Sequence, residues 1–273
     1  MPIVASFITA HAPGLTGYPE AADPAQRDRI FAAFDQLRQQ IDDLKPDLIV
    51  GVSNDHFSAF FDPMPSLCLG LGERFHGPNP DFERLMGLPC RDYRGHPGYA
   101  ADLLESAFDM GFELGFSRAE LTFEDQFPVP LHFLDPQNSL PIVPLFVNCM
   151  VKPMIGLRRS HALGQVLARV ANRRPERVVL LATGGLSHWV GTPEEGQINA
   201  AFEARILDAF KAGQPETLLD MSDADIGAAG NGAHEIRNWL VVAGATPGRR
   251  FRVLAHEPVP QWQTGIVVGS FDL

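Results

Sequence analysis

The feature that most constrains this chain is a set of three short apolar runs, each closed by a polar segment that contains a histidine. Each run is paired with its histidine as follows: residues 3–8 with His11, 48–52 with His56, and 178–182 with His188. Runs this short and this rich in β-branched residues are typical of buried strands. In an open α/β sheet, ligands and catalytic groups collect where the strands end. The pattern therefore predicts an α/β fold and favours one sheet edge for the histidines.

Hydrophobic periodicity extends the α/β pattern along the chain. Helical spacing predicts helices over residues 27–44, 99–110, 160–172, 193–211, 216–221 and 235–242. Further apolar runs predict strands over residues 65–71, 113–116, 140–147, 251–254 and 264–271. Gly, Pro, Arg and Asp dominate residues 72–97, which predicts an irregular surface loop that could wall a pocket. No linker-like composition divides the chain, so we expect one domain over residues 1–273.

Charge and cysteine usage exclude several classes of protein. The chain has 22 Lys and Arg against 33 Asp and Glu, which argues against a nucleic-acid partner. Apolar runs stay below the ~20 residues needed to span a bilayer, and a leader with a basic start is not recognisable, so we expect a cytoplasmic protein without membrane contact. The cysteines, Cys68, Cys90 and Cys149, are odd in number and widely spaced, which suits reduced thiols.

The first two strand-end histidines suggest a metal site. Imidazole is a common ligand of first-row metals, and two histidines with one carboxylate on one face are the ligand set of non-haem Fe(II) oxygenases. His11 and His56 supply the pair, and Glu235, which follows a Gly/Ala-rich turn, is the best carboxylate candidate. Asp55, next to His56 on a strand, should point the other way and act beyond the ligands. The alternative is that each histidine is a hydrogen-bonded core residue.

His188 lies in a turn of small residues, where the backbone can approach a ligand closely. This position suits a general acid/base, because an imidazole titrates near neutral pH with little adjustment. A further metal ligand or a structural histidine would fit the same pattern. Of the remaining histidines, only His132 is expected near a pocket wall.

Several segments then resemble a known family, in the family's own order and over nearly the whole chain. They are residues 8–13 (ITAHAP), 53–60 (SNDHFSAF), 95–97 (GHP), 183–188 (TGGLSH) and 232–240 (GAHEIRNWL). The Asn-Asp-His and Gly-Gly-x-Ser-His pieces are the most specific. The sequence resembles the class III extradiol ring-cleaving dioxygenases, and within them the catalytic β-subunit type of protocatechuate 4,5-dioxygenase.

The resemblance implies an α/β sandwich with a central mixed sheet flanked by helices. It implies that His11, His56 and Glu235 bind Fe(II) and that His188 is the catalytic base and acid. The substrate would be a catecholic ring, protocatechuate-like or gallate-like or related to these, opened beside its diol with O2. Ser187, within the Gly-Gly-x-Ser-His piece, becomes a candidate for the substrate pocket.

One segment departs from the family pattern. Where the family carries Asp-His-Gly before a Pro-Leu pair, this chain has Glu-Asp-Gln at residues 124–126, so Asp125 replaces the family's second active-site histidine. This change affects the expected identity of the substrate more than the expected binding of iron. His132 is a candidate to compensate for the missing histidine. The small α subunit of the two-subunit enzymes is not fused here. We therefore expect a homo-oligomer that acts alone or recruits a small accessory subunit.

Two alternatives of other classes remain open at this stage. A zinc-dependent hydrolase could use the same His11, His56 and Glu235 with a bound water. A non-catalytic binding relative of the fold is less favoured, because the metal-ligand and acid/base positions are all present. Metal analysis discriminates between the first alternative and an iron oxygenase.

Overall fold

A computed structural model describes residues 2–62 and 64–273 of the chain. Within these residues ten strands occur: β1 (Ile3–Thr9), β2 (Leu48–Ser53), β3 (Leu67–Gly70), β4 (Arg74–Gly77), β5 (Arg91–Arg94), β6 (Gly115–Ser117), β7 (Ile142–Val147), β8 (Val178–Thr183), β9 (Phe251–Val259) and β10 (Thr264–Phe271). The helices in the same residues are α1 (Gly14–Gly17), α2 (Pro24–Leu44), α3 (Glu83–Met86), α4 (Pro97–Asp109), α5 (Pro128–Leu134), α6 (Leu157–Arg173), α7 (Ala200–Lys211), α8 (Asp223–Gly227) and α9 (Ile236–Ala245). Short 3-10 turns, including Pro215–Leu218 and Gly232–Glu235, connect some of them.

Eight of the strands form one mixed sheet in the order β6-β3-β7-β2-β8-β1-β10-β9. The central strands β7, β2, β8 and β1 are parallel to one another. Antiparallel pairs extend the sheet, β3 on β7 at one side and β10 on β1 at the other. The carboxyl ends of β1, β8 and β2 therefore lie side by side at one edge, because parallel neighbours run in the same direction.

Helices cover both faces of the sheet. On one face α4, α6, α7 and α9 bury an apolar cluster that includes Trp239 and Phe210. On the other face α2 and α5 pack over a second cluster that includes Phe34 and Phe127. The predicted α/β architecture, a central mixed sheet flanked by helices, is confirmed. No helix among the described residues combines the length and the apolar character needed to cross a bilayer.

The excursion between β3 and α4 is more regular than predicted. β4 and β5 pair as an antiparallel two-stranded sheet, and α3 lies in the connection between them. Phe75 and Tyr93 are buried against Phe123, and this aromatic contact supplies the apolar burial that stabilises a pair of short strands. The prediction that residues 72–97 are irregular is therefore wrong, whereas Phe82, Leu85 and Met86 of this segment do line a cavity, as predicted.

Two predicted helices also differ in extent. α7 begins at Ala200 and not near residue 193, because Gly191 and Gly196 adopt φ values of 68° and 84°, outside the right-handed helical region. Asn199 then caps the helix by accepting a hydrogen bond from the amide of Phe202. The segment predicted as a helix over residues 216–221 is only the 3-10 turn Pro215–Leu218.

Candidate active site at the carboxyl edge of the sheet

The three strand-end histidines meet at one edge of the sheet. Thr9 at the end of β1 pairs with Thr183 at the end of β8, and β2 lies on the other side of β8. His11 and His56 follow β1 and β2, and their ring centroids lie 5.0 Å apart in an edge-to-face arrangement. The parallel strands thus bring the histidines to one common edge, as predicted from the sequence.

Glu235 completes this cluster from the opposite side. It closes the 3-10 turn Gly232–Glu235 before α9, and only 1% of it is exposed. One carboxylate oxygen, Oε1, lies 3.4 Å from Nε2 of His11 and 3.3 Å from Nε2 of His56. The other oxygen, Oε2, accepts a hydrogen bond from the amide of Gly185 at 2.8 Å, which holds the carboxylate in place.

The remaining ring nitrogens of both histidines have partners of their own. His11 Nδ1 lies 3.0 Å from the hydroxyl of Thr183, and His56 Nδ1 lies 2.6 Å from a carboxylate oxygen of Asp125. A carboxylate accepts only, so Nδ1 of His56 carries its proton. Both Nε2 atoms therefore face Glu235 with the orientation that a metal ligand requires.

The electrostatics match a site that holds a cation. Burial alone would raise the pKa of Glu235, but His11 and His56 outweigh burial and hold that pKa well below its usual value. Burial would lower the pKa of His56, and the charges of Asp125 and Glu235 raise it well above its usual value instead. Glu235 is thus an anion placed between imidazoles, and a bound divalent ion would neutralise its charge.

His188 lies beside this cluster and not within it. Its Nε2 is 3.8 Å from Oε2 of Glu235, longer than the contacts of His11 and His56. Gly232 packs against the ring, and a Cβ at that position would lie 2.0 Å from Nε2, so any larger residue would displace the imidazole. Burial is the main cause that lowers the pKa of His188. The imidazole is therefore neutral near pH 7 and able to accept a proton.

The side chains of Ser187 and Asp55 hold backbone turns next to His188 and His56, and they do not face the cluster. The Ser187 hydroxyl donates to Glu203 at 2.6 Å and accepts from the amide of Asn199 at 2.8 Å, which ties the His188 turn to α7. The Asp55 carboxylate accepts from the amides of Ala59 and Phe60 at 3.1 and 3.0 Å. It thereby closes the turn that follows His56.

Replacing Asp55 should weaken metal binding or turnover, because Asp55 helps to position His56. Asp55→Ala removes the acceptor for two backbone amides, so the turn after His56 loosens and metal affinity or turnover falls by about 10–100-fold. Metal content after dialysis and the turnover number measure this. Asp35→Ala, which removes an exposed carboxylate on α2, is the matched control. Unchanged metal content and turnover in Asp55→Ala would refute the assignment.

Asp125 and Glu124 line the Nδ1 side of His56. Both are 7% exposed, and Glu124 accepts a hydrogen bond from Ser58 at 2.5 Å. Burial raises the pKa of Glu124 to about 7. These two carboxylates and His56 could also be grouped as metal ligands. A metal bound through Nδ1 of His56 would displace the proton that this nitrogen donates to Asp125, so we favour the set formed by His11, His56 and Glu235.

His132 takes no part in this arrangement. It lies on α5, its ring packs against Phe133, and it is absent from the described residues that line the cavity over the cluster. The structure therefore does not bring His132 to the pocket wall or to the position that Asp125 occupies. The reason is that residues 128–134 form a helix, so this side chain turns away from the segment that carries Asp125.

The cavity itself has a volume of about 420 Å³ and opens over the cluster. Its floor carries the side chains of the cluster and of Glu124 and Asp125. The rest of its described lining is mainly apolar, from Ala12, Pro13, Tyr18, Phe57, Phe82, Leu85, Met86, Met150, Gly185, Val190, Gly232 and Trp262, with the uncharged polar residues Asn231, Gln263 and Thr264 among them. A volume in this range suits a small-molecule ligand such as a substituted aromatic ring.

Two positioning residues, Asn238 and Thr183, lie within the family-like segments but were given no role from the sequence. Asn238 on α9 is fully buried and donates to Asn54 and to the carbonyl of Thr183, which fixes the ends of β2 and β8 against α9. Thr183 supports His11 from the neighbouring strand. Both contacts join residues far apart in the chain, so only a structure reveals them.

Comparison with known proteins agrees with the site. A family model described as the catalytic LigB subunit of aromatic ring-opening dioxygenase matches residues 5–267. The chain is 27% identical over 314 aligned positions to a 2,3-dihydroxyphenylpropionate/2,3-dihydroxicinnamic acid 1,2-dioxygenase of Photorhabdus laumondii, covering 96% of this chain and 95% of the relative. An enzyme of the same description from Klebsiella pneumoniae is 28% identical over 315 positions, with 94% of each chain covered.

A solved structure shares the fold. The crystal structure of an uncharacterized protein from Escherichia coli K12 superposes with a TM-score of 0.57 at 13% identity, and the match covers 98% of this chain and 100% of that one. This likeness concerns the architecture alone.

The sheet and the family match define the class to which the chain belongs, the ring-cleaving dioxygenases of aromatic catabolism. Within that class, it is a member of the class III extradiol family, whose catalytic subunit the matched model describes. The resemblance seen in the sequence motifs is confirmed.

Proposed function

We propose that this chain is an Fe(II)-dependent extradiol dioxygenase that opens a catecholic ring with O2, and that residues 1–273 act as one catalytic domain. The observation that carries the proposal is the convergence of Nε2 of His11 and Nε2 of His56 on a single oxygen of Glu235. Two imidazoles and one carboxylate on one face form the ligand set of non-haem Fe(II) oxygenases, which leaves coordination positions for substrate and O2.

The separations of these three atoms support a metal fit. Ligands about 2.1 Å from a divalent ion and at right angles to each other lie about 3.0 Å apart. The values of 3.3 and 3.4 Å exceed this by only a few tenths of an ångström, so small side-chain shifts complete the site. When bound, Fe(II) supplies positive charge and open positions that bring the diol and O2 together.

His188 is the proposed acid/base. Its neutral imidazole faces the cavity beside Glu235 and can accept a proton at Nε2 from a hydroxyl of the bound diol. The same nitrogen can return that proton later in the reaction. Because Ser187 anchors the turn to α7, the ring of His188 keeps its position during this exchange.

The walls of the cavity orient the ring and exclude water. Trp262 packs on Gly14, and its indole donates to the carbonyl of Tyr18, so these residues form a rigid side of the cavity. An apolar wall favours an aromatic ring over solvent and strengthens electrostatic contacts inside.

The test is anaerobic reconstitution of the metal-free protein with Fe(II), followed by O2 uptake with catechols. We expect O2 consumption with a stoichiometry of about one per ring and a yellow ring-opened product. A zinc-loaded sample is the control, since a zinc hydrolase would need no O2. Hydrolytic activity with zinc, combined with no O2 uptake with Fe(II) for any catechol, would overturn the proposal.

Asp125 gives a second testable outcome. Asp125→Asn keeps the size of the side chain but removes the charge that holds the Nδ1 proton of His56, so we expect metal affinity to fall by about 10–100-fold. Competition with a chelator measures this affinity. Glu124→Gln, which removes a neighbouring charge at 3.8 Å from His56, is the control and should shift affinity less. Equal losses in both variants would mean that charge alone, and not the bond to His56, matters.

A further inference from the structure

The described lining of the cavity over the proposed metal site contains three carboxylates but no lysine or arginine. Among the described residues that line it, the charged side chains are Glu124, Asp125 and Glu235, and none is a lysine or an arginine. The other ionisable groups among the described lining residues are the imidazoles of His11, His56 and His188 and the phenol of Tyr18. A substrate anion that enters this cavity would therefore meet no ammonium or guanidinium group among the described lining residues.

Cations near the cavity in sequence do not supply one. Arg237 is fully buried and is held by Asp223, His234 and the carbonyl of Ile155. Arg84 and Lys152 lie within two positions of lining residues, but their side chains are exposed and do not line the cavity. The basic side chains closest in sequence are thus paired elsewhere or directed to solvent.

The charge balance of the loaded site leads to the same result. The two positive charges of a bound divalent ion would be balanced by the carboxylates of Glu235 and Asp125, and Glu124 lies beside them as a third acidic group. A carboxylate on the ring would lose its hydration in an apolar cavity and face these acids, both of which cost free energy. An uncharged substituent would contact the walls formed by Leu85, Met86 and their neighbours at no such cost.

We propose that the preferred substrate is a catechol with an uncharged, largely apolar substituent, and that catechols bearing a carboxylate are selected against. This inference rests on the proposed function and narrows its substrate class. This substrate preference would distinguish the chain from the relatives that are named for 2,3-dihydroxyphenylpropionate, a substrate that carries a carboxylate.

The first test uses pairs of substrates that differ only in charge. The Fe(II)-loaded protein receives 2,3-dihydroxyphenylpropionate or its carboxamide, and protocatechuate or its carboxamide. In each pair we expect kcat/KM to be at least about 10-fold higher for the amide, because an unpaired like charge is a repulsive element. Competition binding under nitrogen gives dissociation constants for the same compounds without turnover, and these should show the same order.

The second test adds the missing cation. Leu85 lines the mouth of the cavity and is 46% exposed, so a longer side chain fits there. Leu85→Arg should raise the carboxylate-to-amide ratio of kcat/KM by about 10-fold or more, since a charge-assisted pair replaces the repulsion. Leu85→Met, which adds length without charge, should keep the wild-type ratio.

The outcomes separate this inference from the proposed function. O2 uptake with carboxylated catechols at or above the rate of their amides would overturn the inference while leaving the dioxygenase assignment intact. An unchanged ratio in Leu85→Arg would also count against it. Absence of O2 uptake with every catechol, in protein shown to contain Fe(II), would instead overturn the proposed function.

Discussion

Glu235→Gln is expected to lose Fe(II) binding and, with it, ring cleavage. Glutamine keeps the size of the side chain and an oxygen that can accept from the amide of Gly185, so the turn between β8 and α7 should persist. The negative charge between His11 and His56 disappears, however, and a neutral amide is a poor ligand for a hard divalent ion. We expect metal affinity to fall by more than the about 10–100-fold typical of groups outside the ligand set.

Metal content and chelator competition measure this loss, and O2 uptake follows it. Glu216→Gln, which removes an exposed carboxylate paired with His161, is the matched control. The far-ultraviolet circular dichroism of both variants should match the parent protein. Retention of stoichiometric Fe(II) and turnover in Glu235→Gln would exclude Glu235 as a ligand and with it the proposed metal site.

His188→Ala is expected to keep its iron and lose turnover. The ligand set does not need His188, whose nearest approach to Glu235 is 3.8 Å, so the metal content should be unchanged. Removing one general acid/base costs about 10²–10⁴-fold in rate. Substrate binding under nitrogen should survive in weakened form, because the diol still has the metal.

The control for His188 is His132→Ala, since His132 lies outside the cavity. We expect that control to retain turnover. Loss of iron in His188→Ala would make His188 a ligand and favour the hydrolase alternative again. Near-normal turnover would assign the acid/base role to Asp125, the acidic residue that faces His56.

The edge that carries the site was predictable because its signals are local. A short apolar run indicates a buried strand, and the residues that follow the strand leave the sheet at its carboxyl end. His11, His56 and His188 were located in this way, and Glu235 by the turn before its helix. The motifs that surround them led to the family for the same reason, since they consist of contiguous residues.

Side-chain direction and long-range pairing were not predictable. Asp125 reaches His56 across 69 positions of the chain, and Asn238 reaches Asn54 across 184. The prediction that His132 faces the pocket failed because a proline-containing segment closed into a helix, α5, which changed the direction of its side chains. The pairing of β4 with β5 depends on the burial of Phe75 and Tyr93 by Phe123, a contact between segments that the sequence does not connect.

The sequence by itself determined the class of fold, the edge of the sheet where chemistry occurs and the residue types delivered there, because strand termination and hydrophobic period are properties of neighbouring residues. The tertiary structure alone decided that Oε1 of Glu235 faces both Nε2 atoms and that the side chains of Ser187 and Asp55 hold backbone turns in place. It also decided that the described lining of the cavity is mainly apolar and contains acids but no lysine or arginine. Those properties depend on the relative placement of distant segments, which is set by packing of the two cores against the sheet.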